Sequence, residues 1–222
     1  MPEVIFAGPE GRLEGRYQRG RGENPPLALV LHPHPLFGGS MNNRAVYELY
    51  NMFLRRGFSV LRFNFRGVGR SVGVYDQGQG ELADAATALD FLQQLNPNAP
   101  FAWVAGFSFG SWIGMQLLMR RPEIVGFISV SASANLFDFT FLAPCPSSGI
   151  VIHGEMDKVC APEETKTMVE RTRTQKGRKI DFAVVPGADH FFETQIDQLI
   201  ATADGYLMKR LGHSEPEGPF HD

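Results

Sequence analysis

One stretch narrows the fold of this chain more than any other. It runs Phe101-Ala102-Trp103-Val104-Ala105, then Gly106-Phe107-Ser108-Phe109-Gly110, then Ser111-Trp112-Ile113-Gly114-Met115-Gln116-Leu117-Leu118-Met119-Arg120. The first segment is a short unbroken apolar run and reads as a buried strand. The last is long and apolar enough for a buried helix. A strand must therefore turn into a helix across a G-x-S-x-G pentapeptide. In so tight a turn, bulky side chains two positions either side of the serine would clash, hence glycine at 106 and 110. Ser108 is expected in a strained conformation, its hydroxyl at the carboxyl edge of a sheet and the positive end of the helix behind it. The pentapeptide alone is a weak signal; its flanks make Ser108 a candidate nucleophile.

The remaining pattern supplies the sheet. Val4 to Ala7 and Leu13 to Arg19, separated by Gly8-Pro9-Glu10-Gly11, read as an antiparallel hairpin. Further strands are expected at 27–31, 58–65, 124–130, 149–153 and 180–185, and helices at 44–56, 81–95, 162–174 and 192–211. The helix at 81–95 would bury Leu82, Ala85, Ala86, Leu89 and Leu92. Strands alternating with helices predict an α/β fold, a mostly parallel sheet with helices on both faces and an N-terminal antiparallel hairpin. Such sheets carry their sites outside the carboxyl ends of the strands. A length of 222 residues fits one domain, taken as 1–211, with a Gly/Pro-containing tail at 212–222 expected to be mobile.

Composition removes several classes. A formal net charge of −3 gives no electrostatic reason to expect nucleic acid as a partner. No apolar run approaches the ~18 residues of a membrane span, and Met1-Pro2-Glu3-Val4 lacks a secretory pattern. The two cysteines, Cys145 and Cys160, are too few for a disulfide framework and have no metal-ligand spacing. A cytoplasmic protein is the resulting expectation, with no membrane partner. The sequence leaves open whether it forms a homo-oligomer.

A serine hydroxyl needs a base, and the base needs a partner that fixes its tautomer. Among six histidines, His190 lies in Pro186-Gly187-Ala188-Asp189-His190-Phe191-Phe192, a loop at a carboxyl strand end. His213 and His221 fall in the tail. His153 ends a strand on the correct edge and reads as a hydrogen-bonded structural residue. Asp157, in His153-Gly154-Glu155-Met156-Asp157-Lys158-Val159, is the candidate acid, set against its ordinary role as a turn or capping residue. Asp189 reads as a turn residue; Glu155 and Asp138 are weaker alternatives for the acid. A tetrahedral intermediate also needs N–H donors. Phe109 supplies one, and the loop His32-Pro33-His34-Pro35-Leu36-Phe37-Gly38-Gly39-Ser40 leaves His34, Leu36 and Phe37 open for the second. His32 and His34 have no carboxylate or cysteine nearby, so no metal is expected.

These motifs together resemble a known family. His-Pro-His-Pro-Leu-Phe-Gly-Gly-Ser-Met-Asn-Asn at 32–43 is similar to the oxyanion loop of small bacterial α/β-hydrolases without a lid domain, described as serine hydrolases or carboxylesterases. Arg62-Phe63-Asn64-Phe65-Arg66-Gly67-Val68-Gly69-Arg70-Ser71, the 106–110 elbow, the 154–159 acid loop and the 187–192 histidine loop match the same pattern. The order serine, acid, histidine is also that of the α/β-hydrolase fold. The resemblance spans roughly residues 3 to 211 and implies nucleophile, acid and base roles for Ser108, Asp157 and His190.

Larger members insert a helical cap where this chain has only Ser131 to Ser148. The apolar residues of that segment, Phe137 and Phe141 among them, either pack on the body or, with Phe107, line a substrate pocket. The expected activity is hydrolysis of a small-molecule ester, small or short in its acyl group, with no cofactor. Thioester, lactone or small-amide hydrolysis would use the same residues. A non-catalytic binding protein of the same fold is the competing class, favoured only by a missing triad member, and none is missing. Reading Gly67-Val68-Gly69 as a phosphate loop fails for want of a third glycine and a strand-to-helix setting.

Overall fold

The computed structural model describes residues 3–172 and 179–212. The expected tail at 213–222, with His213 and His221, and the last two residues of the helix expected at 162–174 lie outside them.

Eight strands of the described residues form one sheet: β1 (Glu3–Gly8), β2 (Gly11–Gln18), β3 (Leu27–Leu31), β4 (Ser59–Phe63), β5 (Ala102–Phe107), β6 (Ile124–Val130), β7 (Ser148–Gly154) and β8 (Ile180–Val185). Their order is β1-β2-β4-β3-β5-β6-β7-β8. β1 pairs antiparallel with β2, and β2 antiparallel with β4; every other pairing is parallel. Among the described residues, five helices cover the sheet: α1 (Arg44–Arg55), α2 (Gln79–Gln94), α3 (Phe109–Leu118), α4 (Pro162–Thr172) and α5 (Ile196–Gly212). Gly212, expected in the tail, is thus the last residue of α5.

The two middle strands, β3 and β5, are apolar throughout because both faces are covered. On β3, Leu27, Leu29 and Leu31 join a core with residues of α2, α3 and α4. Ala28 and Val30 point the other way, into a core with α1 and α5. The same alternation on β5 sends Ala102 and Val104 to the first core and Trp103, Ala105 and Phe107 to the second. Burying each such Leu or Phe contributes about 1.5–3 kcal/mol.

α2 departs from its expected apolar stripe. Ala85, Leu89 and Leu92 are buried as expected, but Leu82 and Ala86 are only half-buried, and two carboxylates, Glu81 and Asp84, are fully buried. Asp84 grips Arg66 as a fork. Its Oδ2 accepts from Arg66 Nε and N–H, both at 3.0 Å, and its Oδ1 from the guanidinium at 2.8 Å. Glu81 accepts from the N–H groups of Asp76 and Gly78 at 2.9 and 2.8 Å. The long β4–α2 connection is therefore held to the body by buried acids as well as by the buried Phe65 ring. A Cβ at Gly80 would overlap the Arg66 guanidinium, which lies flat against that backbone.

Candidate active site

The elbow has a mechanical origin. Ser108 separates β5 from α3 and must satisfy both. Its N–H donates to Val130 O at 2.8 Å, continuing the β5–β6 ladder, while its carbonyl accepts from Ser111 N–H at 3.0 Å to start the helix. Serving both puts Ser108 at φ 54°, ψ −114°, a conformation that costs a non-glycine residue of order 1–3 kcal/mol. The flanking glycines are steric necessities. A Cβ on Gly106 would overlap the Gly110 carbonyl, and one on Gly110 would lie 2.5 Å from the Leu31 and His32 oxygens.

The loops after β7 and β8 bring the other two candidates to this serine. His190 Nε2 lies 3.1 Å from Ser108 Oγ, and His190 Nδ1 lies 2.7 Å from Asp157 Oδ2. A carboxylate only accepts, so Nδ1 carries the proton and Nε2 presents its lone pair to the serine. Asp157 Oδ1 accepts from the N–H groups of Val159 and Cys160 at 2.8 and 3.0 Å. Burial raises the Asp157 pKa, but hydrogen bonds from His153, His190 and the Cys160 N–H outweigh it and hold the carboxyl well below the usual carboxylate range. It stays charged.

His190 is seated from below and behind. The Phe107 ring lies beneath it with centroids 5.6 Å apart, and Phe191 meets it edge-on at 5.1 Å. Ser131 Oγ donates to the His190 carbonyl at 2.8 Å. Ser131 itself comes directly after β6, at φ 48°. No sequence signal marked Ser131; a serine at a strand end is too common to single out.

The loop after β3 resolves further. Pro35–Phe37 form a 3-10 turn, in which Phe37 N–H donates to His34 O at 3.1 Å and Leu36 N–H to His34 Nδ1 at 3.2 Å. The turn thus consumes the Leu36 and Phe37 donors, which corrects their candidacy and leaves His34. Phe109 opens α3, so its N–H has no helical acceptor behind it. His32 is spent differently. Its Nδ1 meets Pro33 O at 2.6 Å and its Nε2 accepts from Phe65 N–H at 3.0 Å. Burial is the main cause lowering its pKa to about 4, so it is neutral near pH 7.

The other sequence candidates take structural places. Glu155 is exposed and accepts from Gly187 N–H at 2.8 Å; Asp138, also exposed, caps Thr140 N–H at 2.8 Å; Asp189 accepts from Glu193 N–H at 3.1 Å. Phe107 is fully buried in the α1–α5 core, so it supports the imidazole and presents no surface to a substrate, correcting its assignment as a pocket residue. Phe137 is half-buried and stacks on Trp112 at 4.8 Å; half-buried Phe141 stacks on Phe139 at 6.2 Å. Among the described residues, no group of three or more His, Cys, Asp and Glu could hold a metal ion. Cys145 and Cys160 are buried and do not pair with each other. No helix among the described residues is long and apolar enough to cross a membrane.

Between β6 and β7 stand only residues 131–147, with one 3-10 turn at Thr140–Leu142. A solved structure of XC6422 from Xanthomonas campestris, an a/b serine hydrolase without lid, is 28% identical. It superposes with a TM-score of 0.85 over 98% of this chain and 96% of that one. ATU1826 from Agrobacterium tumefaciens, a protein of unknown function, is 55% identical with a TM-score of 0.94, covering 98% of this chain and 100% of that one. Protein RP471 of Rickettsia prowazekii (strain Madrid E), uncharacterized, is 49% identical over 212 residues, 94% of this chain and 89% of its own. The family model for the alpha/beta hydrolase fold matches residues 29–147, from β3 through the elbow to the brink of β7. With that match over half its length and these relatives over nearly all of it, the chain belongs to the alpha/beta hydrolase family.

Proposed function

We propose that this chain is a serine hydrolase cleaving small or short-acyl carboxylic esters through an acyl-enzyme, with Ser108 as nucleophile, His190 as base and Asp157 as its orienting acid. One observation carries the reading: the unbroken hydrogen-bonded series from Ser108 Oγ through both His190 nitrogens to Asp157, at a strained elbow. Ser108 Oγ attacks the ester carbonyl as its proton passes to His190 Nε2. The imidazolium so formed is stabilised by Asp157, whose charge is already fixed. The N–H groups of Phe109 and His34 receive the developing oxyanion. His190 then protonates the departing alkoxide, and water, deprotonated by the same nitrogen, releases the acid from Ser108.

Substrate size follows from what stands above the serine. The loop-borne apolar side chains Leu36, Phe37, Leu136, Met156 and Phe191 are exposed, Phe37 by 83%, with no cap over them among the described residues. Each buried methylene contributes about 0.8 kcal/mol, so an open rim rewards the first few carbons of an acyl chain and little beyond. Catalytic efficiency on aryl esters should peak at short acyl groups and show no jump above substrate solubility. A fluorophosphonate probe should label Ser108 and no other serine. A label elsewhere, or efficiency rising steadily to long-chain esters, overturns the respective half of the reading.

A further inference from the structure

Asp157 has a second histidine. His153, at the end of β7 and fully buried, sets Nε2 against two acceptors: it is hydrogen-bonded to the Cys160 carbonyl at 2.9 Å, and the same nitrogen lies 3.1 Å from Asp157 Oδ2. Neither can donate, so Nε2 must carry the proton. The opposite nitrogen, Nδ1, is buried without any hydrogen-bond partner among the described residues. The fold thus keeps a polar ring where one of its two nitrogens is left unsatisfied, a cost that an apolar residue of the same size would avoid. What the ring gains is a place beside the very oxygen that accepts the His190 Nδ1–H hydrogen bond.

We propose that His153 is a positioning residue for the candidate triad, resting on the esterase reading above: it pins the Asp157 carboxylate and shares its charge. Oδ2 takes the His190 hydrogen bond with His153 Nε2 close beside it, and Oδ1 is held by two backbone amides, so neither carboxylate oxygen is free to rotate away from His190. The second donor also draws charge from Oδ2. His190 therefore faces an acid that is fixed in place but less basic than a carboxylate serving it alone. The charged and titratable groups around His153 are Asp157 itself, His190 beyond it, and the Cys160 thiol, which approaches Glu164 Oε2 at 3.6 Å. His153 touches no substrate; its effect passes through Asp157.

The test compares His153→Phe, which keeps the ring volume and removes the donor, with His153→Gln, whose amide restores a donor near the Nε2 position. His153→Phe should lower kcat about tenfold at unchanged KM. It should also move the acid limb of the pH–kcat/KM profile upward, because an unshared Asp157 stabilises the His190 imidazolium more strongly. His153→Gln should recover most of kcat and return the limb towards wild type. A folded His153→Phe with wild-type kcat and profile overturns the proposal. So does a loss of kcat that leaves the profile in place and is not recovered by glutamine, since that marks packing alone. Should the phenylalanine variant not fold, nitrogen-15 NMR of histidine-labelled wild type decides. The proposal requires the Nε2–H tautomer at His153, and an Nδ1–H tautomer overturns it. If the fluorophosphonate probe fails to label wild-type Ser108, the esterase reading falls; if it labels while the His153 tests fail, only this inference does.

Discussion

Two buried aspartates, Asp157 and Asp84, show how differently one molecule can use the same side chain. Both lose their water, and both are saturated with donors. Asp84 is held by the Arg66 guanidinium and by the Arg66 N–H. Its charged partner keeps its proton at any ordinary pH, and the hydrogen bond and charge of Asp84 raise the Arg66 pKa further despite burial. Asp157 is held by two amides and by the His190 imidazole, with His153 close beside it, and the His190 ring can accept a proton at one nitrogen while it donates from the other. The first arrangement ties the β4–α2 loop down. The second can move a proton between serine and substrate. The partner, not the carboxylate, decides which task is done.

The comparison breaks most decisively at the triad. Asp157→Asn should reduce kcat/KM by about 10⁴, because an amide can no longer hold His190 in the Nδ1–H tautomer, while Asp84→Asn should leave turnover per folded molecule near wild type. Steady-state kinetics on a short-acyl aryl ester, corrected for folded fraction, checks both. The second test inverts the effect. Asp84→Asn leaves the Arg66 guanidinium buried without its counter-charge and should cost about 3–5 kcal/mol in urea unfolding.

A smaller effect comes from pH, in the same half of the molecule as Arg66. His32 is buried and neutral, its pKa lowered from 6.5 to about 4. The unfolded chain therefore binds this proton at higher pH than the folded one. Stability should fall as pH drops from about 6.5 towards 4, by up to about 3 kcal/mol. Unfolding at stepped pH should show the slope in wild type and a flatter one in His32→Gln. Asp157 acts lower. Its depressed pKa contributes stability that is present above the ordinary aspartate value near 3.9 and lost as pH falls further. The smallest effects belong to the neighbouring acids. Glu155→Gln and Asp138→Asn alter exposed loop contacts and should keep turnover within about threefold; an inactive variant of either would move the acid role away from Asp157.

The sequence carried most of the sheet and the three candidate residues. Strands at 27–31, 124–130 and 180–185 coincide with β3, β6 and β8, because doubly covered strands are written as short apolar runs between turns. Ser108, Asp157 and His190 were legible because each follows such a run. Boundaries failed where the backbone does something local and abrupt. α3 begins at Phe109 rather than Ser111 because the elbow turns without a linker. α5 begins at Ile196 rather than 192 because Phe192 sits at φ 54°, in a turn held by Asp189. The buried charges of α2 were invisible for another reason. Glu81 and Asp84 occupy positions that periodicity assigns to solvent, and their partners lie in a loop with no regular spacing.

The serines ending β5 and β6 tie the candidate site into the sheet. Ser108 N–H reaches Val130 on β6, Ser131 N–H reaches Ile152 on β7 at 2.9 Å, and Ser131 Oγ reaches His190 beyond β8. Nucleophile and base are thus two ends of one stitched line across four strands, with no hinge between them. A site built this way has no loosened state of its own. Heat should silence it only when the sheet itself melts, so thermal inactivation and global unfolding become a single event.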